Sequence, residues 1–155
     1  MSERPLWAPW RIEYVTGPKS EECIFCRPDP AHLIERGERC FAVLNAYPYA
    51  PGHVMVSPNR HVGELGELDD DELLESMQLA SRIVRALEFA MSPQGFNVGI
   101  NLGKVAGAGI ADHLHLHVVP RWEGDTNFMP VVGDTHVIPQ ALEETRKALV
   151  EALAR

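Results

Sequence analysis

Basic charge, cysteine and long apolar runs are what this sequence is short of, and each shortage removes a class of function. Fourteen Lys and Arg against twenty-two Asp and Glu leave a formal charge of −8. Such a balance opposes long-range attraction of nucleic acid, so no nucleic-acid partner is expected and any phosphate must be held by local groups. No stretch approaches the ~20 apolar residues of a membrane span, and residues 1–11 lack the apolar core of a secretory signal. The expectation is a cytoplasmic protein with no membrane partner. Three cysteines are too few for a disulfide framework, and Cys23 and Cys26 stand in a Cys-x-x-Cys pair that suits a metal clip in a reducing compartment. Cys40, ahead of the strand-like Phe41–Leu44, reads as a small apolar core residue.

What remains is ordinary for one globular domain. A chain of 155 residues with 45% hydrophobic and 23% charged residues is long enough to bury about two-thirds of its unfolded surface without disulfides. We divide it into an N-terminal segment (1–35) carrying the Cys-x-x-Cys clip, a core (36–125) and a C-terminal extension with a helix (126–155).

Strand signals occur at Phe41–Leu44 and His53–Ser57, joined by a Pro- and Gly-containing loop that predicts a rigid hairpin. Residues before Cys23 and from Arg27 to His32 read as irregular. Asp69-Asp70-Asp71-Glu72 predicts a helix start, Ser92-Pro93 its end, and Leu73, Met77, Ala80, Val84, Leu87 and Met91 its apolar stripe, with Met77 and Met91 filling core space. Phe96–Asn101 and His113–Val119 read as strands, and Pro139–Ala154 as a closing helix with Leu142, Leu149 and Leu153 facing inward. Paired strands with a helix inserted between them predict an α+β fold, an antiparallel sheet covered by the long helix.

The chemistry concentrates in Asp112-His113-Leu114-His115-Leu116-His117-Val118. On a strand, alternate side chains share a face, so three imidazoles project together at intervals of roughly 6.5–7 Å while Leu114, Leu116 and Val118 face the core. Neutral imidazole is a nucleophile, proton carrier and metal ligand near pH 7, and three on one face are hard to explain by packing. The same spacing opposes a single catalytic zinc held by all three, because Zn–N bonds are ~2.0–2.1 Å. The glycine-rich loop Leu102–Ala111 offers backbone N–H groups to an anion. A Cys-x-x-Cys pair with two histidines makes a closed zinc site. His61 and an edge histidine of the triplet are candidates, and a thioredoxin-like redox reading lacks its βαβ context. Arg11, Lys104 and Arg121 are isolated and read as solvated charges, Lys104 being the first to mutate. Trp7, Trp10 and Trp122 read as packing or subunit-contact residues.

The run His113-x-His115-x-His117-x-x resembles the signature of the histidine-triad superfamily of nucleotide hydrolases and transferases, and further segments agree with it. Asn45 with Pro51-Gly52-His53-Val54 is similar to the family's Asn…Pro-Gly-His segment, and Asn59-Arg60-His61 to the zinc-bearing turn of its metal-containing members, while Leu6–Arg11, Gly95–Gly103 and Pro120–Phe128 are similar to the bacterial branch of diadenosine tetraphosphate phosphorylases. The resemblance implies a nucleotidyl hydrolase or transferase acting on dinucleoside polyphosphates through a covalent nucleotidyl-histidine, with phosphate or water as acceptor. It implies that His115 attacks the α-phosphorus, that His117 lies against the phosphates and assists the leaving group, and that Asn45 binds ribose beside His53. Asn101, Lys104, Gly109 and Ile110 fall on its phosphate-holding segment, and Cys23, Cys26, His61 and His113 at its structural Zn2+ site. No organic cofactor is implied, and the family's assembly is a homodimer. One departure is that many relatives carry Gly-Gln where this chain has Ala108-Gly109, so Asn101 or main-chain N–H groups must replace the glutamine contact. Alternative readings are a phosphoramidate or dinucleoside polyphosphate hydrolase using water, and a nucleotide-binding regulator with little turnover.

Overall fold

A computed structural model describes residues 16–17, 22–125 and 141–155. Five strands form one antiparallel sheet: β1 (Leu33–Arg36), β2 (Cys40–Leu44), β3 (Val54–Pro58), β4 (Gly95–Ile100) and β5 (Leu116–Arg121). Their spatial order is β1-β2-β3-β5-β4, which leaves β4 at an edge. Two helices, α1 (Asp70–Met91) and α2 (Leu142–Leu153), pack against each other, α1 lying on β2, β3 and β5. The α+β expectation therefore holds.

Period-two alternation sorts the side chains of the central strands. Cys40, Ala42 and Leu44 of β2, Val54 and Val56 of β3, and Leu116 and Val118 of β5 meet Leu79, Ala80, Ile83, Ala86 and Leu87 of α1 and Leu149 of α2. Phe41, Val43 and Met55 take the opposite face with Phe25. His117 pairs in register with Met55 on one side and Gly99 on the other, so it belongs to that second face. One face of the sheet is packed under the helices and the other carries His117, as the alternation predicts for that residue.

α1 begins and ends where its signals lie. The Asp69 carboxylate accepts the Glu72 N–H at 2.8 Å while the Glu72 carboxylate accepts the Asp69 N–H at 3.0 Å, closing a capping box. Ser92, with φ of 49°, caps the other end in the left-handed region before Pro93. The stripe needs correction. Leu73 and Met77 are exposed, Met77 by 56%, and Met91 packs only partly on the core. The buried line is Glu72, Leu79, Ala80, Ile83, Ala86 and Leu87. Glu72 sits there because Arg60 neutralises it through two hydrogen bonds of 2.7 Å.

The hairpin loop is fixed by Asn45 N–H donating to the His53 carbonyl and by Gly52, at φ +76°. That φ strains any residue with a Cβ, which would also stand 2.8 Å from the Leu87 and Met91 side-chain ends, so glycine suits the Pro51-Gly52 turn where it docks on α1. β1 was not expected: four residues with two charged give no alternation to read. Cys40 is buried, and desolvation first, then Glu75, raises its thiol pKa to about 12, consistent with an inert core residue. Among the described residues no helix is long and apolar enough to cross a membrane.

Candidate active site

The strand predicted over His113–Val119 begins later. β5 starts at Leu116, and His113 and His115 precede it. They are held against the sheet by the Leu114 N–H, which donates to the Val62 carbonyl at 2.7 Å, and by the Ser57 hydroxyl, which donates to the Leu114 carbonyl at 2.9 Å. Gly63 permits this approach, since a Cβ on it would lie 2.9 Å from the Ala111 carbonyl oxygen.

The three imidazoles turn to three different partners. Nδ1 of His115 lies 2.9 Å from the main-chain carbonyl of His113. A carbonyl only accepts, so Nδ1 carries the hydrogen and Nε2 of the neutral ring presents its lone pair. Burial, opposed by that carbonyl bond, lowers the His115 pKa below its ordinary value and favours the neutral form. Phe25 stacks on one face of the ring at 4.6 Å and 27°, and His117 meets it edge-on at 4.9 Å. An extended strand over His113–His117 would aim this ring into an open pocket. Instead His115 is 6% exposed, with the Phe25 ring over one face.

His117 belongs to a second chain of contacts. The Tyr49 N–H donates to Nδ1 of His53 at 3.1 Å, so that nitrogen is the acceptor and the neutral ring's hydrogen is on Nε2. Nε2 of His53 stands 2.8 Å from Nδ1 of His117 and donates to it. The neutral His117 ring must then carry its hydrogen on Nε2. His115 and His117 thus end in opposite states at Nε2, the first a lone pair and the second a donor. The Tyr49 ring stacks on His53 at 5.1 Å and 18°. Tyr49, like Phe25, gave no signal beyond being an aromatic beside a motif.

The third imidazole, His113, joins a cluster of potential metal ligands. Ligand atoms of Cys23, Cys26, His61 and His113 all lie within 4.8 Å of one another and could hold a metal ion. Nδ1 of His113 is 3.3 Å from Sγ of Cys23 and 3.6 Å from Sγ of Cys26, and Nδ1 of His61 is 3.2 Å from Sγ of Cys26. With Zn–S and Zn–N bonds of ~2.3 and ~2.0–2.1 Å, adjacent ligands of a tetrahedral site stand about 3.5 Å apart, so the donor set and spacing fit zinc. Nε2 of His113 donates to the Pro58 carbonyl at 2.9 Å, leaving the Nδ1 lone pair for a metal. Desolvation, then hydrogen bonding with Cys23, raises the Cys26 thiol pKa. Burial lowers that of His113. The sequence-derived quartet is assembled. With His113 in this cluster, His115 on a carbonyl and His117 on His53, the triad does not converge on one metal.

The remaining expected residues are distributed unevenly. Oδ1 of Asn45 accepts the Tyr47 N–H at 2.9 Å and its Nδ2 lies 3.4 Å from Nδ1 of His53, so this carboxamide shapes the loop that carries His53. Ile110 packs on the Phe25 cluster. Asn101 follows β4, Lys104 is exposed in a 3-10 turn (Lys104–Ala106) and Gly109 is exposed, with no hydrogen bond or ion pair to the triad among the described residues. Arg121 is not isolated: it pairs with Asp125 at 2.6 Å and donates to Asn97. Trp7, Trp10, Arg11 and Phe128 lie outside the described residues.

Comparison with known proteins identifies the family. The HIT domain family matches residues 27–124. An AP-4-A phosphorylase of Mycobacterium tuberculosis is 42% identical over 164 aligned positions, covering 97% of this chain and 84% of that protein. An adenosine 5'-monophosphoramidase of Saccharomyces cerevisiae is 30% identical over 64% of this chain and 62% of its own. A crystal structure of a zinc-bound histidine triad protein from Mycobacterium smegmatis superposes with a TM-score of 0.70 at 30% identity, covering 86% of this chain and 94% of that one. The chain belongs to the histidine-triad, or HIT, domain family.

Proposed function

We propose that this protein is an enzyme that cleaves dinucleoside polyphosphates by nucleotidyl transfer, in the manner of an AP-4-A phosphorylase, with His115 as the nucleophile. The observation that carries the reading is the opposite state of the two histidines. The hydrogen bond from Nδ1 to the His113 carbonyl leaves the Nε2 lone pair of His115 for attack, while the His53 contact makes Nε2 of His117 a donor. The relative in Mycobacterium tuberculosis supports the substrate class.

Nε2 of His115 forms a bond to the α-phosphorus as the bond from that phosphorus to its bridging oxygen breaks. The departing nucleotide oxygen takes a hydrogen bond or proton from Nε2 of His117. Positive charge on the nucleotidylated imidazole is stabilised by the His113 carbonyl through Nδ1–H. An oxygen of inorganic phosphate, or of water, then attacks the same phosphorus and returns the pair of electrons to Nε2. Two easy displacements replace one difficult transfer, and positioning supplies most of the catalysis. Asn45 retains one N–H for a ribose hydroxyl. The Gly103–Ile110 segment, with Asn101 and Lys104, offers donors to the phosphates in place of the missing glutamine. Cys23, Cys26, His61 and His113 would hold a structural Zn2+, which fastens the N-terminal turn and takes no part in the transfer. Edge strand β4, with Val98 46% exposed, supports a homodimer joined through the sheets, testable by light scattering.

Incubation with diadenosine tetraphosphate, with and without orthophosphate, tests the reading. ADP plus ATP formed only with phosphate is the expected result. AMP plus ATP in either condition identifies water as the acceptor. Inertness toward this compound with cleavage of a nucleoside phosphoramidate favours the second reading, which the yeast phosphoramidase relative supports. Tight nucleotide binding without turnover or a covalent intermediate assigns the pocket to a regulator.

A further inference from the structure

The metal clip and the nucleophile are built as one unit. Cys23-Ile24-Phe25-Cys26 is a tight turn, closed by the Cys26 N–H donating to the Cys23 carbonyl at 3.1 Å. Its two thiols face His61 and His113, and its inner residues divide sharply: Ile24 is 48% exposed, whereas Phe25 is 3% exposed. The buried ring lies 5.4 Å from His113 and 6.5 Å from Phe41, and it stacks flat on His115. His113, one of the four potential ligands, also supplies the carbonyl that holds Nδ1 of His115.

His115 is therefore restrained twice by the clip. The carbonyl of a ligand residue fixes its edge, and the residue between two thiol ligands fixes its face. An imidazole has a broad, roughly two-fold torsion at its ring, so one hydrogen bond alone leaves room for rocking and flipping. A stacked neighbour removes that freedom. Displacement of a reacting atom by about 1 Å can cost about 10²-fold in rate.

We propose that Phe25 is a positioning residue that transmits the ordering of the metal-bound turn to the His115 ring. The proposal rests on the reading of His115 as the nucleophile, but its physical core can be observed without turnover. The clip does more than fasten a terminus to the sheet, because the turn it stabilises has the nucleophile's ring as its floor. With metal bound, Phe25 keeps Nε2 of His115 aimed at one point; with the turn lifted, the ring rocks about its bond to the His113 carbonyl and Nε2 is no longer held at one point.

The test compares the zinc-loaded wild type with Phe25→Leu and Phe25→Tyr. Zinc content is determined by elemental analysis, histidine side-chain nitrogens by long-range 1H–15N NMR at one fixed pH, and kcat and KM with diadenosine tetraphosphate. The leucine variant is expected to keep its zinc, to broaden or split the His115 ring signals, and to lose about 10- to 100-fold in kcat with KM changed less than about threefold. Tyrosine, which preserves the stack, should restore both signals and kcat to within a few-fold. Should Phe25→Leu lose zinc, Phe25→Met, unbranched and of similar volume, takes its place in the same measurements. Unchanged His115 signals in a zinc-loaded variant overturn the proposal. So does a rise in KM at constant kcat, which assigns Phe25 to the wall of a nucleotide pocket. If the ring signals change while His115→Asn proves fully active, the coupling stands and the nucleophile assignment fails.

Discussion

Nε2 of His53 lies 2.8 Å from Nδ1 of His117, and this contact leaves Nε2 as the donor nitrogen of the His117 ring. The residues are 64 positions apart in sequence and come from the loop entering β3 and from β5, joined by the pairing of Met55 with His117. A residue of the hairpin loop thereby determines the tautomer of a histidine on the neighbouring strand.

Replacement of His53 by phenylalanine should keep the fold and remove this control. We expect kcat to fall by roughly 10- to 100-fold, as for a misplaced donor, with a smaller effect for a substrate whose leaving group needs no proton. Steady-state kinetics on diadenosine tetraphosphate and on an analogue with a good leaving group check this. Equal losses on both would place His53 in binding alone.

His115→Ala and His115→Asn should abolish turnover while leaving thermal unfolding close to wild type. General acid–base effects are about 10²–10⁴-fold. Retention of more than about a hundredth of wild-type activity would therefore argue against a nucleophile at this position.

Zinc removal should act on structure. Chelation, or Cys26→Ser, is expected to lower the melting temperature and expose the Cys23–Cys26 turn to protease, while the β2–β3–α1 core keeps its amide protection longest. Calorimetry and hydrogen exchange follow the two effects. A chelated protein of unchanged melting temperature would remove the structural role from the quartet.

The pairing of buried Glu72 with solvent-facing Arg60 predicts a pH dependence of stability. The Arg60 hydrogen bonds, the largest influence, hold the Glu72 carboxyl below the usual glutamate value. A lowered folded-state pKa contributes stability that is fully present above the unfolded value of about 4.3 and is lost as pH falls through the folded value. Glu72→Ala should therefore cost about 1–2 kcal/mol at pH 7, near the low end for an unsatisfied buried group because Arg60 is itself solvated. The difference from wild type should shrink toward pH 3. Urea unfolding at pH 7, 5 and 3 measures it, and a gap independent of pH would contradict the assignment.

Period and punctuation carried much of the fold. The short apolar runs at Phe41–Leu44 and His53–Ser57, bounded by a Pro- and Gly-containing loop, and the acidic start and Ser92-Pro93 end of α1 were readable because local pattern and tertiary burial agree there. Leu73 and Met77 misled because three- and four-residue spacing defines a stripe without fixing which of two adjacent stripes faces the sheet. Glu72 occupies an inward position that hydrophobicity alone assigns to neither. The metal quartet was legible through the Cys-x-x-Cys pair and a family resemblance. Phe25 and Tyr49 were not, because stacking on a histidine depends on where two distant segments meet, and neither residue departs from an ordinary core aromatic in sequence.

The most direct test of the central claim is to mix the protein with diadenosine tetraphosphate in the absence of orthophosphate, quench in base within the first turnover, and map the peptides by mass spectrometry. One adenylyl group on the nitrogen of His115, released as ADP when phosphate is added before the quench, is the predicted result. An adenylyl group on another residue, or turnover at the full rate with no adduct at any time, would contradict it.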